Sequence, residues 1–213
     1  MFGLNLGAKD AASSLAHELG EVAALGPDCL LCALEARHSE RYLLGIIGDG
    51  VNDPLLRREL TRRGGYCPPH LGKFVELAHV LASAILLHDL LTTRLARAAR
   101  GNPLGRVHCP ACEVEAKTRA SVLKSLKRQR NDGKIQTILL GAPFCITHLE
   151  LVSGAVPAVQ NELANRHEDL VRALSELIRK HDYRFTRETI TAAERASITK
   201  TARLFGVDGY KDG

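Results

Sequence analysis

The chain contains no tryptophan, a single methionine, four tyrosines and five phenylalanines in 213 residues. A core with so few large rings must be filled mainly by Leu, Ala, Ile and Val, a palette that favours helices over sheets. Long apolar runs are also missing. The uncharged stretch Leu77 to Leu87 is too short to span a bilayer and carries His79. Lys9, Asp10, His17, Glu18 and Glu21 interrupt any apolar run after Met1 to Gly7, so no secretion leader is expected. No nucleophile elbow, phosphate loop, dinucleotide fingerprint or H-E-x-x-H is present, and Gly48-Asp49-Gly50 has the composition of a turn. The chain therefore offers no catalytic motif and points to binding rather than to an enzyme. The 29 basic and 24 acidic residues leave a net charge of +5. With that charge spread along the chain, no basic arm announces a polyanion. The expected compartment is the cytoplasm, where thiols stay reduced, with no membrane partner.

What is present is six cysteines, all in one repeated pattern. Cys29-Leu30-Leu31-Cys32 is followed by Cys67-Pro68-Pro69-His70, and Cys109-Pro110-Ala111-Cys112 by Cys145-Ile146-Thr147-His148. A C-x2-C pair followed by C-x2-H is the composition of a Cys3His metal site, and it occurs twice with no cysteine left over. The expected ligand sets are Cys29, Cys32, Cys67 and His70, then Cys109, Cys112, Cys145 and His148. Pairing across the two sets is possible but less economical. Two Zn2+ ions per chain are the expected cofactors, with an iron–sulfur cluster as the alternative, although the four-Cys runs typical of clusters are missing.

The periodicity predicts helices throughout. They run from Asp10 to Leu25, stopped by Gly26-Pro27, and from Leu30 to Ile47 behind Asp28 as N-cap. A short helix from Leu55 to Arg63 follows the Asn52-Asp53-Pro54 cap and ends at Gly64-Gly65. A long helix is expected from Cys67-His70 unbroken to about Arg100, stopped by Gly101-Asn102-Pro103. Its middle is apolar almost all round, so it should be buried on several sides or shared with a partner chain. The second half repeats the plan: Cys112 to Arg130, Ile135 to Leu140, and Ile146 to about His181. Aligned on the cysteines, Glu35 matches Glu115, Tyr66 matches Phe144 and Leu71 matches Leu149. This is the pattern of an internal duplication, with too few copies for a solenoid. A final helix, about Thr191 to Leu204, precedes a Gly- and Asp-containing tail.

Each metal motif falls at a predicted helix start, where unpaired N–H groups and the helix dipole stabilise thiolate. Three competing patterns carry less. Glu35-x-x-His38 and Glu76-x-x-His79 match the E-x-x-H of carboxylate di-iron bundles, with Glu115 or Glu150 as further ligands. The repeat partner of His38 is Thr118, however, so the duplication does not carry the motif. His88-Asp89 has the composition of a proton-handling pair, but such pairs are more often structural. Lys117, Lys124, Lys127, Arg128 and Arg130 make one helix basic enough to lie on phosphates. No aromatics interleave, and a solvated face accounts for them better.

The order C-x2-C, then Val51-Asn52-Asp53-Pro54 with a following Arg, then Gly-aromatic-Cys-x2-His, resembles a bacterial and archaeal family of unknown function. So does the Asp182-Tyr183-Arg184-Phe185 segment followed by Glu188. That resemblance implies metal binding and supplies no reaction. By their chemistry alone, Tyr183 and Phe185 would anchor the last helix, with Arg184 and Glu188 paired at i,i+4.

The expected architecture is one all-α domain over residues 1–213. Pseudo-repeat 1 spans about 28–100 and pseudo-repeat 2 about 108–181, each stapled by its own Cys3His site, with a C-terminal helix at about 187–205. Its expected role is that of a zinc-binding module. The partner would be a protein or a second copy of the chain, docked through the long apolar helix from about Gly72 to Leu95. A metal-based redox or sensor protein and a nucleic-acid-associated zinc protein are the alternatives.

Overall fold

A computed structural model of the protein describes residues 6–26, 28–102, 107–185 and 187–206, with side chains described from Ser14 onward. Pro27, Pro103 and the Gly- and Asp-containing tail, expected to break or end helices, lie outside these residues. Among the described residues every regular element is helical. The α-helices are α1 (Leu6–Ala23), α2 (Leu30–Gly48), α3 (Pro54–Arg62), α4 (Pro68–Leu77), α5 (Val80–Ala99), α6 (Pro110–Arg128), α7 (Gly133–Gly141), α8 (Ile146–Ala155), α9 (Gln160–Lys180) and α10 (Ala192–Leu204). Three single 3₁₀ turns, Gly50–Asn52, Pro157–Val159 and Tyr183–Phe185, join them. Among the described residues no helix is long and apolar enough to cross a membrane.

Caps explain most of the boundaries. Asp53 accepts hydrogen bonds from the Leu55 and Leu56 amides, with Pro54 opening α3 where no amide is needed. Asp132 caps α7 in the same way. Thr191 and Glu194 form a reciprocal capping box on α10. Asp28 is not the cap of α2: the Cys29 carbonyl accepts the Ala33 amide, which makes Cys29 itself the N-cap residue.

The two long helices expected after the C-x2-H motifs are both divided. Ala78 and His79 are extended, and the His79 ring accepts the Ala82 amide, ending α4 and starting α5 with a side-chain cap. In the second half Val156 precedes Pro157, which disfavours helical backbone before it. There α8 stops, and α9 starts after one 3₁₀ turn. An imidazole cap is a weak signal in a sequence, whereas Pro157 is a strong one that the apolar run around it concealed.

The chain forms two compact units, Glu35–Arg119 and a second made of residues 1–34 with 120–213. Their boundaries fall inside α2 and α6, so the units do not coincide with the two pseudo-repeats. The core of the Glu35–Arg119 unit gathers Leu43, Ile46, Leu60, Phe74, Leu86 and Leu90. Tyr66 stacks on Phe74 there at 5.8 Å between ring centroids. Gly65 at φ +89° makes the turn into this core, and a β-carbon on it would lie 2.7 Å from Leu90 Cδ2. In the other unit Leu19, Leu30, Leu31 and Leu34 pack with Leu126, Ile135, Leu139 and Val152.

Candidate metal centres

Four helix starts carry the cysteines and histidines, each placing one residue at the N-cap and the next three positions on. Cys67 and Cys145 have the same extended N-cap backbone, φ −66°, ψ 161° and φ −72°, ψ 161°. Neither makes a side-chain capping bond. Their carbonyls accept the Leu71 and Leu149 amides, as those of Cys29 and Cys109 accept Ala33 and Glu113. One helical turn brings positions i and i+3 onto a single side, so each motif delivers two ligand atoms in the same direction.

The eight side chains come together as two tetrads, in a different combination from the expected one. Cys29 and Cys32 meet Cys145 and His148, whereas Cys67 and His70 meet Cys109 and Cys112. Each C-x2-C therefore pairs with the C-x2-H of the other half, and the within-repeat staple is replaced by a crossed one. The helix lengths explain why. The 19-residue α2 is about 28 Å long, and the nine-residue α3 that follows it only about 13 Å. Tyr66 and Cys67 consequently pack with Tyr42 and Leu43 in the second half of α2. The 19- and nine-residue pair α6 and α7 repeats the geometry, and Phe144 packs with Val122 and Leu126. A backbone bond closes each approach, His108 N–H to the Arg63 carbonyl and Leu30 N–H to the Pro143 carbonyl.

Within each tetrad all ligand atoms lie within 4.8 Å of one another. His148 Nδ1 is 3.3, 3.2 and 3.3 Å from the sulfurs of Cys29, Cys32 and Cys145. His70 Nδ1 is 3.1, 3.5 and 3.3 Å from those of Cys67, Cys109 and Cys112. Sulfur–sulfur separations are 3.9 Å for Cys32–Cys145 and 3.6 Å for Cys67–Cys112. A tetrahedral ion with Zn–S of about 2.3 Å and Zn–N of about 2.0 Å requires edges of about 3.7 Å between sulfurs and about 3.5 Å from sulfur to nitrogen. The donor sets thus fit a single four-coordinate ion.

Electrostatics agree. The hydrogen bond from Cys32 is the main reason that Cys29 is pulled down to about 3, against the opposing effect of burial. The same bond, followed by burial, pushes Cys32 up. Burial and the Cys67 and Cys109 side chains push Cys112 up to about 12. At Cys109 burial opposes ionisation, but the backbones of Cys67 and Cys112 outweigh it and the thiol is lowered. Thiolates this close repel one another, so full ionisation of three requires a cation among them.

The Glu35–Arg119 unit adds an outer layer that the motifs did not reveal. His70 Nε2 lies 2.9 Å from Glu115 Oε1, and the same oxygen accepts the Ser39 hydroxyl at 3.0 Å. With Nδ1 turned to the sulfurs, Nε2 carries the proton and donates it to Glu115, the arrangement that orients a metal-binding imidazole. Glu115 follows Cys112 by three residues on α6, which is the signal that could have found it. Glu35, three residues after Cys32, instead accepts a bidentate pair from Arg119 at 2.7 and 2.7 Å.

The competing patterns do not assemble. Glu76 pairs with Lys73, His79 caps α5, and neither E-x-x-H contributes to a carboxylate cluster among the described residues. Asp89 lies 3.4 Å from Arg57 and 3.5 Å from the exposed His88. The Asp182–Phe185 segment forms a 3₁₀ turn, so the expected i,i+4 pair does not form. Arg184 pairs with Asp182, Arg179 pairs with Glu188 and lies over the Phe185 ring, and Tyr183 is exposed.

No family model and no solved structure matches the chain. Over 63 residues it is 38% identical to an uncharacterized 23.9 kDa protein in the xynA 3′ region of Caldicellulosiruptor sp. (strain Rt8B.4). The match spans 30% of this chain and 30% of that protein.

Proposed function

We propose that the protein binds two zinc ions in closed structural sites and acts as a helical interaction module in the cytoplasm. The observation that carries this is the convergence of eight cysteine and histidine ligand atoms into two tetrads at single-ion spacing. Each tetrad would have four protein ligands and no open position, the arrangement of a structural rather than a catalytic zinc. Three thiolates and a neutral imidazole give such a site a net charge of about −1, which two helix N-termini per site complement. Donors converging on one point also support a mononuclear ion over an iron–sulfur cluster, whose ligands attach to separate irons. For binding nucleic acid, the exposed Lys124, Lys127 and Arg128 on α6 are the feature available, and among the described residues of α6 no aromatic accompanies them.

The test is metal content per chain together with an absorption spectrum, on protein purified without oxygen. Two zinc ions and a featureless visible spectrum are expected. Iron with broad visible absorption would overturn the zinc assignment in favour of a redox or sensor protein.

A further inference from the structure

The helix α5 buries Ala82, Leu86 and Leu90 in its own unit and turns a second apolar face outward. Leu81, Ala84, His88, Leu91, Leu95 and Ala98 are all exposed. They recur at alternating spacings of three and four, the seam pattern of a two-helix coiled coil. Exposure reaches 64% at Leu81, 59% at Leu91 and 61% at Leu95, and Val80 and Leu87 continue the apolar surface along one edge. His88 is the one titratable residue in the seam, and no Asp, Glu, Lys or Arg lies in it. Arg94 is turned toward the Gly64 carbonyl and Arg97 toward that of Arg62, so both lean onto their own chain.

We infer that this face pairs with α5 of a second copy of the chain, antiparallel, across a two-fold axis near the middle of the helix. The proposal rests on the interaction-module reading above and supplies its partner. The sequence of the seam selects both occupant and direction. In the antiparallel register Leu81 lies opposite Ala98 of the second copy, Ala84 opposite Leu95, and His88 opposite Leu91. Large side chains then meet small ones in the outer layers, as close helix packing requires. A parallel pair would set Ala against Ala, leaving gaps, and His88 against His88. It would also bring Arg94, Arg97 and Arg100 of both copies to one end. Antiparallel pairing separates these clusters by most of a helix of about 30 Å, well beyond the screening length of about 8–10 Å. The five large aliphatic side chains of each copy, at roughly 100 Å² apiece, bring the buried area to about 1,000 Å², the lower end for a specific interface.

Light scattering on the zinc-loaded full chain at tens of micromolar tests this. Wild type is expected at twice the 23.2 kDa chain mass. Leu91→Glu is expected at the single mass with unchanged metal content and helicity. Ala84→Glu and Leu95→Lys should each be monomeric alone and form a dimer when mixed, because those positions face one another only in the antiparallel pair. A monomeric wild type, a dimeric Leu91→Glu, or a mass that reveals a different bound macromolecule overturns the proposal. A mixture that stays monomeric overturns the direction. Metal content on the same samples reports separately on the zinc assignment.

Discussion

Two double substitutions separate the crossed tetrads from within-repeat staples. Cys29 and Cys145 share one tetrad, so Cys29→Ser with Cys145→Ser damages a single site and leaves Cys67, His70, Cys109 and Cys112 complete. Cys29→Ser with Cys67→Ser removes one thiolate from each tetrad. The first protein should retain one zinc per chain after dialysis against a moderate chelator, and the second should retain none. The stability cost follows from mass action: at free zinc a thousandfold above Kd, a site that binds only the folded state contributes about 4 kcal/mol. The first variant should therefore lose about 4 kcal/mol and the second about 8 kcal/mol, against a total of about 5–15 kcal/mol for a typical domain. Denaturant unfolding alongside metal analysis reads both quantities. Among the described residues the Glu35–Arg119 core holds eleven buried residues, including Cys109 and Ala111 at the site itself, against seventeen in the other unit. Damage confined to that unit, by Cys67→Ser with Cys109→Ser, should accordingly unfold more of its own structure. Loss of both ions from the Cys29/Cys145 variant, with one ion retained by the Cys29/Cys67 variant, would falsify the crossed pairing.

Glu115→Ala removes the acceptor of the His70 Nε2 proton and should weaken the zinc site of the Glu35–Arg119 unit by about 10–100-fold, measured by chelator competition; unchanged affinity would show that the imidazole is oriented without it. Gly65→Ala forces a side chain into a left-handed backbone and against Leu90, and should cost about 2 kcal/mol or more in denaturant unfolding. Deleting the fully buried Phe74 ring should cost about 3–5 kcal/mol, with the loss reported by the same unfolding curve. The Lys180 ammonium, and next the Thr191 amide, hold the Glu194 carboxyl below its ordinary value. That stabilisation of α10 is complete above the ordinary carboxylate pKa and is lost as the pH falls through the lowered one. The protection of α10 amides against hydrogen exchange, relative to the intrinsic rate at each pH, should therefore fall in acid, and Glu194→Gln should abolish that fall. An unaltered profile in that variant would place the dependence elsewhere.

The helical class, the cap at Asp53, and the eight side chains that form the tetrads were all legible from residue type and spacing. These features depend on neighbours within a turn or two, which the linear order contains. Two short-range features were misread for identifiable reasons. His79 caps a helix with its ring, which composition rarely signals, and the apolar run around Pro157 masked a proline break. Ser39 was out of reach because its role depends on where the His70 ring and the Glu115 carboxylate point.

By itself, then, the sequence determined which side chains could hold a metal and that they sit at four helix starts. Only the tertiary structure decided how the starts combine. Every C-x2-C offers the same two sulfurs and every C-x2-H the same sulfur and nitrogen, so either combination satisfies the chemistry of a tetrahedral ion. The choice falls to packing: Tyr66 is buried against the second half of α2 and Phe144 against the second half of α6. Each C-x2-H thereby meets the cysteine pair of the other half within a single unit.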